Sequence, residues 1–320
     1  MLSTVSDFLE KYNIKNTAVL IGFSAGPDSC ALARILNELK NKYNIDITLC
    51  YFNHGWRKEA LSEETFTVEF AEKFNLKHII KKAPDGILKN EETAREYRYN
   101  FLRNCAEKIN SNIVFLAHNR NDNIETLLYR VIKGTSPKGL CSIPEVRDIF
   151  YRPLLKIEKK DILSYLNDIG QEYLLDSSNS DIKYKRNYIR KELIPVIEKL
   201  NPNYINAIDN LITTSQFTSH ILSNSVDKAM NEIIIENGID RNKYLNYNVS
   251  YRYEILNLYL GSKLKYRDFK TIKKLDDFII ENPHSRISLN KNEFLRTRKN
   301  KIFIENNTKG INNEPTKNIN

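Results

Sequence analysis

The chain has 320 residues, 49 lysines and arginines against 40 aspartates and glutamates, and a formal net charge of +9 with histidines neutral. That length accommodates two domains, and a 41% hydrophobic share supplies a core and excludes a disordered chain. No stretch approaches the roughly 20 apolar residues of a membrane span, and the polar start MLSTVSDFLEKYNIKN lacks the apolar run of a signal peptide. Cys30, Cys50, Cys105 and Cys141 form no CxxC pair. Zinc-ribbon and iron–sulfur sites are therefore not indicated, and buried thiols in a reducing compartment are expected. The basic excess favours a polyanionic partner such as RNA.

Val19, Leu20, Ile21 and Phe23 predict a buried strand, and Leu32, Ile35, Leu36 and Leu39 recur at helical spacing after it. Residues 45–52 (IDITLCYF) predict a second strand. A helix over 59–75 follows, with Phe66, Phe70 and Phe74 four apart on one face. Next come a short strand at 77–83, a helix from about 91 to 109, and a strand over 112–118 (NIVFLAH). Ile124, Leu127, Leu128 and Val131 mark a further helix, and IFYRPLL (149–155) closes the series. Strands alternating with helices predict a parallel α/β sheet covered on both faces. Residues 1–200 are expected to form this domain. Residues 201–305 should form a mainly helical one with a hairpin-like element over 286–305, ending in a disordered tail over 306–320.

Ligands of parallel sheets gather at the carboxyl ends of strands. Ser24, His54 and His118 all fall at such ends. Between the first strand and helix, Ser24-Ala25-Gly26-Pro27-Asp28-Ser29 offers small residues that let backbone N–H groups approach a phosphate at a helix N-terminus. An ordinary turn uses the same residue types, and Asp28 or Ser29 is placed to cap the helix. In AHNRNDNIET, Asn121 and Asp122 suit N-terminal capping, and Asp122 also suits a metal ligand beside phosphates. Magnesium needs only one or two protein carboxylates when it arrives on a triphosphate, and Asp28 and Asp122 would suffice. Arg95 and Arg98 share a helix face. Lys183, Lys185, Arg186, Arg190 and Lys191 form a basic cluster interleaved with Tyr184 and Tyr188, either a solvated helix or an RNA contact.

SAGPDS is close to the SGGxDS signature of the PP-loop ATP pyrophosphatases. With NHGWR, NEETAREYRY, AHNRNDNIET followed by Gly134, RPLL and DSSNSDIKYKRNYIR, in this order from about residue 18 to 195, the chain resembles the tRNA(Ile)-lysidine synthetase family. The resemblance implies an enzyme that uses ATP, magnesium and free lysine. Its substrate would be an isoleucine tRNA with a CAU anticodon, whose wobble cytidine becomes lysidine. The oxygen at carbon 2 would be adenylated and then displaced by the lysine amine, releasing pyrophosphate and AMP.

By the same resemblance, Ser24, Ala25, Gly26, Pro27, Asp28, Ser29 and His54 bind the nucleotide. Asp28, Arg95, His118 and Asp122 are catalytic, Asp28 and Asp122 hold the metal, and Arg98, Arg186 and Arg190 meet tRNA or lysine. It also implies a bacterial cytoplasmic or organellar setting without a membrane, and leaves a homodimer open. Three positions depart from the family pattern. Ala25 replaces a glycine, Asn121 replaces the first acid of a DD pair, and Lys133 replaces an arginine. A positive φ at residue 25 would cost alanine on the order of 1 kcal/mol. The rival readings are a PP-loop tRNA thiolase and a tRNA-binding protein without ATP chemistry.

Overall fold

A computed structural model describes residues 1–53, 60–83, 91–175, 185–264, 268–306 and 316–317. His54, Lys183, Tyr184 and nearly all of the predicted tail lie outside the described residues. The chain divides into two units, Met1–Thr135 with Gly139–Thr213, and Thr214–Asn320 with Ser136–Lys138.

The first unit is built on α1 (Leu2–Lys11), β1 (Thr17–Phe23), α2 (Pro27–Tyr43), β2 (Ile45–Asn53), α3 (Ala60–Lys73), β3 (Lys77–Lys82), α4 (Glu91–Lys108), β4 (Val114–Leu116) and α5 (Arg120–Lys133). Short strands β5 (Val146–Arg147) and β6 (Phe150–Tyr151) follow, then α6 (Lys159–Asp168). The sheet order is β3-β2-β1-β4-β6-β5, parallel except for the edge pair β5–β6. Alternation along β1 sends Val19, Ile21 and Phe23 into one core with α1, α2, α3 and α6. Leu20 enters a second core with Phe101, Leu102 and Cys105 of α4. Gly22 keeps the contact between them tight: a Cβ there would lie 2.9 Å from a Leu116 methyl and would push that side chain aside. Helices thus cover both faces, as predicted.

Several local expectations change. The strand expected over 112–118 is only β4. Before it, the Ser111 hydroxyl donates to Ala18 O and accepts from Ile113 N, standing in for ladder bonds. After it, the chain turns away to start α5. Val131 is 51% exposed rather than core.

A helical run continues through α7 (Lys185–Tyr188), a π-helical turn over Ile189–Leu193, and α8 (Ile194–Leu200). Pro195 lacks an N–H for the carbonyl four residues back, and the wide turn accommodates that loss.

The unit boundary falls inside α9 (Tyr204–Ile233). Beyond it lie β7 (Ile234–Ile235), β8 (Gly238–Asp240), α10 (Arg241–Asn246), α11 (Val249–Leu260), α12 (Phe269–Glu281), β9 (His284–Ser288), β10 (Glu293–Arg298), β11 (Lys301–Asn306) and β12 (Thr316–Lys317). The expected hairpin over 286–305 is a three-stranded antiparallel meander inside the sheet β12-β9-β10-β11-β8-β7. Ile287, Leu295 and Ile302 pack on Ile255, Leu256, Leu275 and Ile279. Within this core Tyr244 donates to Asp276 at 2.6 Å, and Arg252 grips the same carboxylate with two nitrogens at 2.9 and 3.0 Å. Among the described residues, no helix is long and apolar enough to cross a membrane.

Candidate active site

The strand order reverses beside β1. The chain moves outward through β2 and β3, then returns to β4 on the other side of β1, leaving a crevice at the carboxyl ends of β1 and β4. The segment Ser24–Ser29 leaves one strand and Ala117–Asn119 leaves the other.

Ala25 adopts φ +57° and is fully buried. The left-handed conformation turns its carbonyl toward Leu174 N at 2.9 Å and Cys30 Sγ at 3.4 Å. Those bonds hold a strained alanine where a glycine would sit freely. Gly26, rather than Asp28 or Ser29, is the N-cap of α2, with Pro27 in the first turn and no side-chain cap. Pro27 needs no N–H partner there, and Ser29 instead donates to Gly26 O at 2.9 Å and accepts from Ser24 N at 3.2 Å. The first-turn N–H groups of α2 therefore have no intrahelical acceptor, the arrangement that receives phosphate oxygens.

Asp28 reaches across the crevice. Asn119 Nδ2 donates to its Oδ1 at 3.0 Å, and Lys159 Nζ to its Oδ2 at 2.8 Å. Asn119 is also the N-cap of α5, in a capping box with Asp122. Its side chain accepts from Asp122 N, and the Asp122 carboxylate accepts from Asn119 N, both at 3.0 Å. Asn121 was expected to share that capping. Its Oδ1 instead accepts from Lys159 N at 2.9 Å, fixing the start of α6. The asparagine at 121 is therefore engaged with the start of α6.

Asp122 is held by burial, by Glu125 and by Asp28 at a pKa pushed up to about 6, despite the opposing Asn119 N–H and Arg190. Glu125 is buried three residues further along α5. Arg190 clasps it with Nε at 2.7 Å and Nη2 at 2.9 Å and comes within 3.8 Å of Asp122. Arg190 is thus committed to the acids of the crevice. Glu125, Asn119 and Lys159 were not singled out from the sequence. Glu125 lies one turn from Asp122 in NDNIET, the one local signal. Lys159 had none.

On the other side of the crevice, His118 is kept neutral by burial and then by the charges of Arg152, Arg98, Arg95 and Arg186, so its pKa falls well below the ordinary range. Its Nδ1 is buried with no hydrogen-bond partner among the described residues. Arg95 Nη2 donates to Tyr99 Oη at 3.2 Å. The structure therefore brings Ser24–Ser29, Asp28, Asp122 and His118 to one crevice, with Arg95, Arg98 and Arg186 on its basic side.

A divalent cation fits the acid side. Asp28 and Asp122 share Asn119, and burial first, then Glu125 and Asp28, disfavours the charged Asp122 carboxylate that a cation would stabilise. Among the described residues no cluster of three or more acidic, histidine or cysteine side chains would hold a metal alone. Two carboxylates suit an ion that brings phosphate oxygens of its own.

The ATP_bind_3 model, a PP-loop domain, matches residues 2–197. A tRNA(Ile)-lysidine synthase of Thermosipho africanus is 35% identical over 219 residues, 65% of this chain and 51% of that relative. One from Clostridium tetani is 35% identical over 222 residues, covering 66% and 48%. The chain spans about half the length of these curated relatives. Among solved structures, the U34-tRNA thiolase NcsA of Methanococcus maripaludis superposes with TM-score 0.57 at 19% identity, covering 67% of this chain and 78% of the thiolase. That likeness concerns the fold. With a family model spanning more than half of its length, and a loop and crevice of the geometry described above, this chain belongs to the PP-loop domain family.

Proposed function

We propose that the protein is an enzyme that ligates lysine to carbon 2 of the wobble cytidine of a CAU-anticodon isoleucine tRNA, using ATP. The observation that carries this reading is the link Asp28–Asn119–Asp122 across the crevice, beside an uncapped helix N-terminus. In this reading it would set a phosphate cradle next to two carboxylates. Relatives named tRNA(Ile)-lysidine synthase support the substrate class.

In this reading the N–H groups at the start of α2 and the hydroxyls of Ser24 and Ser29 receive the pyrophosphate part of ATP. Asp28 and Asp122 would hold magnesium, which supplies neutralisation of phosphate charge. The cytosine oxygen at carbon 2 attacks the α-phosphorus and pyrophosphate leaves. Arg95 offsets the charge that builds on the α-phosphoryl oxygens. The neutral lysine ε-amine then attacks carbon 2. The carbon–oxygen bond breaks, AMP departs with the electron pair, and the amine loses a proton. His118, held neutral by burial and by the surrounding arginines, would accept a hydrogen bond from the attacking amine rather than its proton, which passes to solvent. In the same reading the pair Glu125–Arg190, beside Asp122, would meet the charged groups of the incoming lysine. The 201–305 region would recognise tRNA features outside the anticodon, and the reaction would proceed in a cytoplasm or organelle matrix.

The thiolase alternative is less well supported. Cys30, Cys50 and Cys105 are buried, and burial raises the Cys30 thiol far above its ordinary pKa. A radiolabelled-lysine transfer assay with ATP, magnesium and unmodified CAU-anticodon tRNA tests the proposal. Incorporation lost in Asp28→Asn is expected, and no incorporation by the folded wild type overturns it.

A further inference from the structure

Three arginines of the first unit, Arg130, Arg147 and Arg152, have no part in the reaction above. Arg152 is only 3% exposed. Its Nη1 donates to the carbonyls of Pro144 at 3.0 Å and Phe150 at 3.4 Å, while its Nε is buried with no hydrogen-bond partner among the described residues. Arg130 likewise spends its Nη1 on two carbonyls, Gly139 and Ser142. No carboxylate among the described residues lies within ion-pair distance of Arg95, Arg130, Arg147, Arg152 or Arg186.

Elsewhere in the same unit, several arginines are matched by acids. Arg120 meets Glu158 and Asp209, Arg190 meets Glu125, and Arg103 meets Asp148. The basic cluster is therefore a local choice rather than a consequence of net charge. A buried guanidinium without a counter-ion is costly to hold, and the cost is recovered when an anion fills the place.

We propose that Arg152 is the floor of a phosphate-binding basin, walled by Arg130, Arg147 and Arg186, that grips a phosphodiester of the RNA strand whose base enters the crevice. Geometry distinguishes it from the nucleotide cradle. The cradle uses backbone N–H groups at the end of β1, whereas the basin uses guanidinium groups carried by α5, α7, β5 and the residue that follows β6. Arg152 is held by backbone carbonyls and by the Tyr99 hydroxyl, so its guanidinium is oriented before the ligand arrives. The field of the basin also disfavours a charge on His118, which keeps that imidazole from competing for the phosphate. A strand carrying successive phosphates matches an array of unpaired arginines better than one carboxylate would. The inference rests on the tRNA reading only in naming RNA as the source of the phosphate.

The test is equilibrium binding of the full chain to a short hairpin RNA with a CAU loop, at several salt concentrations, beside a separate titration with ATP. Two variants are compared with the wild type. Arg152→Lys keeps the charge but loses the planar fork. Arg147→Gln alters an exposed residue and so leaves folding intact. Each is expected to weaken hairpin binding roughly tenfold. In Arg147→Gln the slope of log affinity against log salt should also fall by about 0.7–0.9. ATP affinity should hold in both. Unchanged hairpin affinity in both folded variants overturns the basin. So does a loss confined to ATP, which would assign these arginines to the nucleotide. A wild type that binds no RNA overturns the tRNA reading and the basin together. A wild type that binds the hairpin through these arginines without transferring lysine supports the basin and overturns only the ligation.

Discussion

Asn119 joins two jobs that the fold would otherwise separate: its Oδ1 caps α5 through Asp122 N, and its Nδ2 donates to Asp28 at the start of α2. One amide side chain thus sets the spacing of the two carboxylates of the crevice. Asn119→Ala should cost about 1–2 kcal/mol through the lost cap, read by urea unfolding. Asn119→Asp keeps a good cap but sets a second carboxylate against Asp28. It should leave stability within about 1 kcal/mol of wild type while lysine transfer falls at least as far as in the alanine variant. Equal retention of activity in both would refute the linking role.

Ala25 sits at φ +57° in a fully buried turn. Glycine would remove a strain of roughly 1–2 kcal/mol but loses about 0.4–1 kcal/mol through a freer unfolded chain. Ala25→Gly should therefore stabilise by about 1 kcal/mol or less. Ala25→Val should destabilise by more than that, since a β-branched side chain tolerates neither the angle nor the burial. A destabilised glycine variant would mean the turn is not strained.

Asp122 gives a pH signature. Its folded pKa of about 6 lies above the ordinary aspartate value, so the folded state holds the proton more tightly than the unfolded chain. The contribution to stability is fully favourable below about pH 4 and is lost as pH rises through 6, by on the order of 3 kcal/mol. Urea unfolding between pH 4.5 and 7.5, values chosen to span about that window, should show this fall in the wild type. Asp122→Asn should flatten it and be the more stable protein at neutral pH. A wild-type profile that rises over the same window would contradict the crowding of Asp122 by Glu125 and Asp28.

Glu125 and Arg190 form an asymmetric pair, the glutamate side chain 3% exposed and the arginine 44%. Arg190→Ala strands a buried carboxylate and should destabilise by about 3 kcal/mol, the lower part of the range for broken buried pairs because the arginine is half in water. Adding Glu125→Gln removes the stranded charge, so the double variant should recover more than half of that loss. Strict additivity in the double-mutant cycle would show that the two side chains do not depend on each other.

Much of this molecule was readable locally. The alternation of Val19, Ile21 and Phe23, and the helical recurrence of Leu32, Ile35, Leu36 and Leu39, identify β1 and α2 because side-chain period is a property of adjacent residues. The motif SAGPDS at their junction, and the parallel α/β class, follow from the same short-range information. Fine placement was less legible. Sequence favoured Asp28 or Ser29, and Asn121 and Asp122, as caps, and the N-caps lie two or three residues earlier, at Gly26 and Asn119, because the partners that decide a cap sit on other elements.

What only the tertiary structure decided is which residues meet. Asp28 finds Asn119 91 positions away and Lys159 131 positions away. Arg190 turns inward to Glu125 across 65, and Arg152 is buried without an acid among the described residues. Each follows from the sheet order β3-β2-β1-β4, which sets the ends of β1 and β4 side by side. Pattern along a chain reports the face a residue occupies. The neighbour across that face is set by strand pairing and burial, and there the cost of an unpaired charge selects partners that no local spacing encodes.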